Sequence, residues 1–365
     1  MNELIFIYAY KFNRDVSDLD IAGLLKKQED VSLYTYNKPE PEEITTIKLP
    51  EVFNLKEEDL QLDSNIRVKI RSQVAVYKEI GVSIRVRVSS DSYNLFDQIS
   101  FNSGFYNAIA KLVSRAKTKI TNLLRQYYSD IDFEPSHEEY RFYYIDSNPS
   151  SFIAENSSRI AGWLIDEKDY NMLNKAYIKQ VLSKNLIYDN NTSLYVGWES
   201  AVLISSGYQH EFELIVAEVA NLHLLNARLA QSRLNDYFIS YNNKMLRTEP
   251  SDYNSKNKAV FLRERHKLLD LLDDTSYVIS IIEQSAYALG EWYISRVYAL
   301  FYSTFKIDIF ISNLKDYIDR INDLIDNINT WIISYHSYMQ ELIIIVFLFL
   351  ELVIEILLAL KYVII

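Results

Sequence analysis

The rhythm of apolar and polar positions changes twice along the chain, and those changes divide it. Leu4 to Tyr10 is a short aromatic and apolar run that predicts a buried strand. A helix is expected from Ser17 to Lys27, where Asp18 and Asp20 suit a helix start and Ile21, Leu24 and Leu25 form a face. Val31 to Tyr36 predicts a second strand, and Asn37 to Glu43, with Pro39 and Pro41, a polar connector. From Ile66 to Val88 apolar and basic residues alternate at period two, with a turn at Lys78 to Gly81, which predicts a hairpin. A basic amphipathic helix follows from about Tyr106 to Tyr128, then a strand from Glu139 to Asp146. Residues 1–150 therefore predict an α+β head domain with an antiparallel sheet. Residues 151–208 predict a small mixed connector, with a helix near Tyr170 to Leu182 and short strands at Ser193 to Gly197 and Ser200 to Ile204.

From His210 onward the period becomes helical. Ile215, Val219, Leu222, Leu225 and Leu229 line one face of a long helix, Thr248 to Asn257 predicts a loop, and Val260 to Phe301 a second helix, kinked near Gly290. In the last helix Ile307, Ile311, Leu314, Ile318, Ile321, Ile325, Ile328, Ile332, Tyr335, Met339 and Leu342 alternate by four and three. That heptad seam suits either a coiled coil between chains or packing on the two preceding helices, so residues 209–341 predict a helical bundle or coiled-coil stalk.

Leu342 to Leu350 is wholly apolar, and apolar residues continue to Ile365 around Glu351 and Glu355. A helix over 342–365 would be roughly 36 Å long, against about 30 Å of bilayer core, so a single C-terminal transmembrane anchor is expected. Glu351 and Glu355, four apart, share a face and form a candidate intramembrane polar site, to pair, bind an ion, relay protons or join helices of an oligomer.

Composition narrows the chemistry. The chain has no cysteine, which removes disulfides, thiolate metal sites and cysteine nucleophiles, and seven glycines give no phosphate cradle. Its five histidines are scattered, so no metal, cofactor or catalytic set is expected. His210, Glu211 and Glu213 read as an acidic first turn of a helix. The net charge of −11 argues against general nucleic-acid binding, but it is uneven. Between Ile66 and Arg125 eleven basic residues meet three acidic ones, leaving +8 there and −19 elsewhere. Arg67, Lys69, Arg71, Arg85 and Arg87 would share one face of the hairpin, a candidate contact for lipid headgroups or RNA, or a solvated face. The start lacks the basic residues and long apolar run of a secretory leader, so the bulk of the chain is expected to be cytoplasmic.

Three segments carry a resemblance: Ala9-Tyr10 with Asp18-Leu19-Asp20 and Leu24-Leu25; Glu218 to Leu229, with its Leu-Asn-x-Arg-Leu pattern; and Tyr335-His336-Ser337 with Glu341 to Ile345 and Glu351. They resemble the YagE family, which includes the "required for meiotic nuclear division" proteins. The family's Trp after the first Glu is replaced here by Leu342, and about 105 residues separate the two helical motifs. The resemblance implies a membrane-associated protein without catalytic residues, one that tethers partners such as ribosomes. The expected function is thus a non-enzymatic, membrane-anchored, homo-oligomeric scaffold. The alternative is an ion-conducting or proton-linked assembly using Glu351 and Glu355, and a weaker third reading is an enzyme in the head, which clustered acids in a deep cleft would support.

Overall fold

The computed structural model describes residues 1–14, 16, 19–28, 31–34, 50–55, 57–63, 66–207, 210–245, 255–287 and 292–364. Two units divide these residues: Met1–Leu229 with Ile279–Ile311, and Ala230–Val278 with Ser312–Ile365.

Strand β1 (Asn2–Tyr10) sits at the centre of the first unit, because its residues are apolar on both faces. The other elements there are α1 (Ile21–Lys26), β2 (Ser32–Leu33), β3 (Glu51–Asn54), β4 (Glu58–Asp63), β5 (Ile66–Tyr77), β6 (Gly81–Ser90), α2 (Asn94–Ser100), α3 (Ser103–Leu124) and β7 (Glu138–Asp146). They continue with α4 (Pro149–Ile165), α5 (Lys175–Val181), β8 (Asn185–Asp189), β9 (Thr192–Val196) and β10 (Ser200–Ser205). The strands form one sheet in the order β2-β3-β5-β6-β1-β7-β10-β9-β8, with β4 also paired to β5. All pairings are antiparallel except β7 with β10, so the sheet is mixed where an antiparallel one was expected. The cause is α4: entering at Asn148, whose side chain caps Ser151 N, it returns the chain to the same end of the sheet, and β10 runs alongside β7. The strands of the 151–208 segment thereby extend the head's own sheet.

Alternation gives the sheet two buried faces. On the first, Leu4, Phe6, Tyr8 and Tyr10 of β1 and Val82, Ile84, Val86 and Val88 of β6 meet α3. That helix offers Phe105, Ile109, Val113, Ala116, Ile120 and Leu124 at spacings of four and three, and Asn102 caps it by accepting from Phe105 N at 3.0 Å. Trp163 of α4 stacks on Tyr143 with ring centroids 4.8 Å apart. The second face meets the start of α6 (Glu211–Met245) and α8 (Trp292–Thr304); Tyr140 packs edge-on against Phe301 and Phe305. The β5–β6 turn holds Glu79 in the left-handed region (φ 71°) and closes at Gly81, where a Cβ would stand 2.6 Å from Tyr10 O.

The second unit contains the remainder of α6, most of α7 (Ser255–Tyr287), and α9 (Ile307–Ile364) beyond Ser312. The expected kink near Gly290 and most of the Thr248 to Asn257 loop lie outside the described residues. Here the heptad seam finds its partners within the chain. Leu314, Ile321, Ile328 and Tyr335 are buried, Phe238 packs on Tyr317, and Phe261 meets Trp331 at 4.2 Å. The coiled-coil stalk is thus corrected to a bundle of three helices from one chain: α6 and α7 leave apolar stripes that α9 must cover.

The expected transmembrane anchor is corrected as well. Among the described residues no helix is long and apolar enough to cross a membrane. Glu341, Glu351 and Glu355 cut the apolar stretch, whose longest unbroken run, Leu342 to Leu350, would span only about 14 Å of the roughly 30 Å required. The intramembrane premise for Glu351 and Glu355 falls with it. Both are exposed, one turn apart on α9.

Candidate functional site

The basic residues of the hairpin divide between surface and interior. Arg71 lies directly across from Arg87, and Gln73 from Arg85, so Lys69, Arg71, Arg85 and Arg87 do share the sheet's second face. Lys69 and Arg71 are exposed and bind the same carboxylate, Glu57, at 2.7 and 2.8 Å. Arg67 lies on β5, but its side chain is outside the described residues. Arg85 and Arg87 are buried under α6, which answers them with carboxylates.

Glu218 is the centre of the inner cluster. It accepts from Arg85 Nε at 2.6 Å and from Arg85 Nη2, from Ser83 Oγ at 2.7 Å, and from the Tyr77 hydroxyl. Both Arg85 and Glu218 are 0% exposed. One turn-pair earlier on α6, Glu211 accepts from Arg87 Nη2 at 2.8 and 2.9 Å, and its Oε2 lies 3.7 Å from Arg85 Nη1. Arg87 also donates to Glu3 at 2.9 Å and to Gln73 at 2.7 Å. His210 stacks on Tyr144, and its Nε2 is 3.0 Å from Glu3 Oε2.

Burial alone would raise the Glu3 carboxyl, but the His210 hydrogen bond and the Arg87 charge hold it at about 2. Glu211 is treated the same way: burial opposes ionisation, and the charges of Arg87 and Arg85 overcome it and hold the carboxyl below its ordinary value. Burial works against the Arg85 guanidinium, yet Glu218 keeps it well above its usual range. Glu3, Glu211 and Arg85 are thus all held in their charged forms. Neighbouring His223 is different. Fully buried, it hydrogen-bonds the Tyr298 hydroxyl at 2.8 Å, and desolvation drops its pKa to about 3, so it is neutral.

Residues 1–209 match the model of the family described as uncharacterized protein MJ0711, N-terminal domain. The chain belongs to that family. No curated protein and no solved structure matches it. The family match shows no link to the YagE family. The family domain ends four residues after β10 and holds Arg85, Arg87 and Glu3, whereas Glu211 and Glu218 come from the helix that follows. The domain's second face is therefore completed by a segment outside it.

The sequence reading missed Glu218, although a signal was there. Glu218 falls on the same helical stripe as Ile215 and Leu222, and an acid among buried apolar positions requires a buried cation. Among the described residues no group of three His, Asp or Glu is placed to hold a metal. The Arg85–Glu218 pair is wholly buried, with only Arg85 Nη1 lacking a hydrogen bond among the described residues, so what the cluster does is fix α6 on the sheet. The exposed feature is at the far end of α9. Every residue from Leu342 to Leu350 is 40–67% exposed, and Leu352, Ile354, Ile356, Leu357 and Leu358 add to them.

Proposed function

We propose that this chain is a non-enzymatic scaffold that assembles with further copies of itself through the apolar end of α9, holding the family domain in an oligomer. The exposed stretch from Leu342 to Leu358 carries the reading. Its fourteen large apolar residues present on the order of 1,000 Å², above the roughly 300–600 Å² largest patch of a typical monomer and the about 800 Å² each partner buries in a stable complex. A helix that apolar requires cover.

The pattern of the stretch favours a second copy as that cover. At 100° per residue, Glu341, Glu351 and Glu355 fall within an arc of about 80°, leaving the rest apolar. Leu342, Val346, Phe349, Val353 and Leu357 continue the stripe that Leu314 to Tyr335 use inside the chain, on the side opposite the acids. Copies packed along this stripe would keep the carboxylates at the rim in water.

Analytical ultracentrifugation of the full chain tests this. The expected result is an oligomer that Ile345→Lys with Phe349→Lys reduces to monomer, without loss of helical circular dichroism. A full chain that sediments as a monomer at about 10 μM, ten times a Kd of about 1 μM, overturns the reading.

A further inference from the structure

Two cavities open on the first face of the sheet, along α3, and share Tyr8 and Glu139 as common wall. The larger, about 410 Å³, is lined by Tyr10, Lys117, Arg125 and His137; the other, about 380 Å³, by Tyr106, Arg141, Asp166 and Glu199. Each is of ligand size. Tyr8 is only 6% exposed, lines both cavities, and makes no side-chain hydrogen bond among the described residues, so its hydroxyl is open to a ligand at the junction.

Close side-chain contacts engage most of the ionisable groups that line the two cavities. Arg125 meets Asp132 at 3.3 Å, His137 meets Glu139 at 2.9 Å, and Arg141 meets Asp166 at 2.7 Å. Lys117 in the first cavity has no carboxylate within ion-pair distance among the described residues; its ammonium sits over the Tyr10 ring at 4.4 Å. In the second cavity the exposed Glu199 likewise has no cation within that distance among the described residues. Burial lowers the Lys117 pKa and raises that of Tyr8, whose phenol therefore remains a proton donor. The opposite ends thus call for opposite charges, with a neutral donor between them. Tyr106 and Lys117 are eleven residues apart on α3, which makes the groove wall about 16 Å long, the span of an extended chain of four or five residues.

We infer that this groove binds a short peptide with free ends, its carboxylate at Lys117, its ammonium at Glu199, and a central carbonyl accepting from Tyr8. This site is independent of the α9 surface, and its failure would leave the scaffold reading untouched.

Isothermal titration of the full chain with tetraalanine, uncapped, N-acetylated or C-amidated, tests the inference. The uncapped peptide is expected to bind best, each cap weakening it about tenfold, as loss of a hydrogen bond to a charged group would. Lys117→Gln should abolish the penalty for amidation only, and Glu199→Gln the penalty for acetylation only. Tyr8→Phe keeps the buried ring and should weaken all three peptides alike, with thermal melting unchanged. No heat from the uncapped peptide up to about 10 mM, or equal affinity for capped and uncapped forms, overturns the site.

Discussion

Replacing Glu218 with Gln puts the largest buried electrostatic element of this fold under test. The wild-type carboxylate accepts four hydrogen bonds, two from Arg85 and one each from Ser83 and Tyr77. The amide keeps the shape but removes the charge that offsets a guanidinium with no solvent exposure. Losing one partner of a buried pair costs about 3–5 kcal/mol. The lower part of that range applies, because Glu211 Oε2 remains 3.7 Å from Arg85 Nη1 and supplies part of the missing charge. At about 2–4 °C per kcal/mol, melting of the first unit should fall by roughly 10 °C. Tryptophan fluorescence reports it, since Trp163, Trp198 and Trp292 lie in that unit and only Trp331 in the other. Arg85→Met combined with Glu218→Leu should cost less than Glu218→Gln alone, because no charge is stranded. It should still fall short of wild type, because Ser83 loses its acceptor at about 1–3 kcal/mol. A Glu218→Gln protein within about 1 kcal/mol of wild type would refute the claim that the pair is buried and unscreened.

His223 is held near pKa 3 against 6.5 in the open chain, so the unfolded state takes up its proton first and stability should fall as pH drops from about 6.5 to 3. Urea titrations should show this as up to about 1.4 kcal/mol per pH unit, flattened in His223→Gln; identical slopes would remove His223 as the cause. Glu3, held near 2 against 4.5, adds stability above pH 4.5 that disappears between 4.5 and 2, and Glu3→Gln should lose that lower limb. In the second unit, Ile321→Asp puts a charge at a position with 0% exposure, and circular dichroism should show several kcal/mol of lost helical stability. Lys69→Ala with Arg71→Ala, by contrast, removes exposed contacts to Glu57 and should change stability by less than about 1 kcal/mol.

Local periodicity made much of the secondary structure legible. The β5–β6 hairpin, the α3 stripe and the β9–β10 pair stand within a few residues of where alternation places them. Helix α4 was not legible, because Asn156, Ser157 and Ser158 interrupt its apolar face and the chain departs from helical angles at Asn156. The parallel β7–β10 pairing followed that omission, since a crossover cannot be seen without its helix. The apolar end of α9 was misread for a different reason. Summed hydrophobicity suited a bilayer, while the acids at 341, 351 and 355, gathered on one side, mark a helix with a wet rim. Nothing local could show the peptide-sized groove, which is assembled from β1, α3, β7 and the turn before β10.

The basic stripe makes the same point about charge. Alternation correctly puts Lys69, Arg71, Arg85 and Arg87 on one face, but whether that face meets solvent depends on α6, more than a hundred residues later. Burying two guanidinium groups there is expensive, and apolar residues of similar volume would hold the helix at least as tightly. What the charges add is register. The apolar stripe of Ile215, Val219 and Leu222 repeats each turn, so sliding α6 by one turn, about 5.4 Å, would cost it little. The same slide would set a leucine against Arg85 and strand Glu218 among β-sheet apolar groups. Glu211 and Glu218, seven residues apart, match Arg87 and Arg85, two residues apart on one strand, in a single alignment. The ion pairs are therefore a registration device for the helix that closes the family domain, and Arg85 and Arg87 are engaged in it.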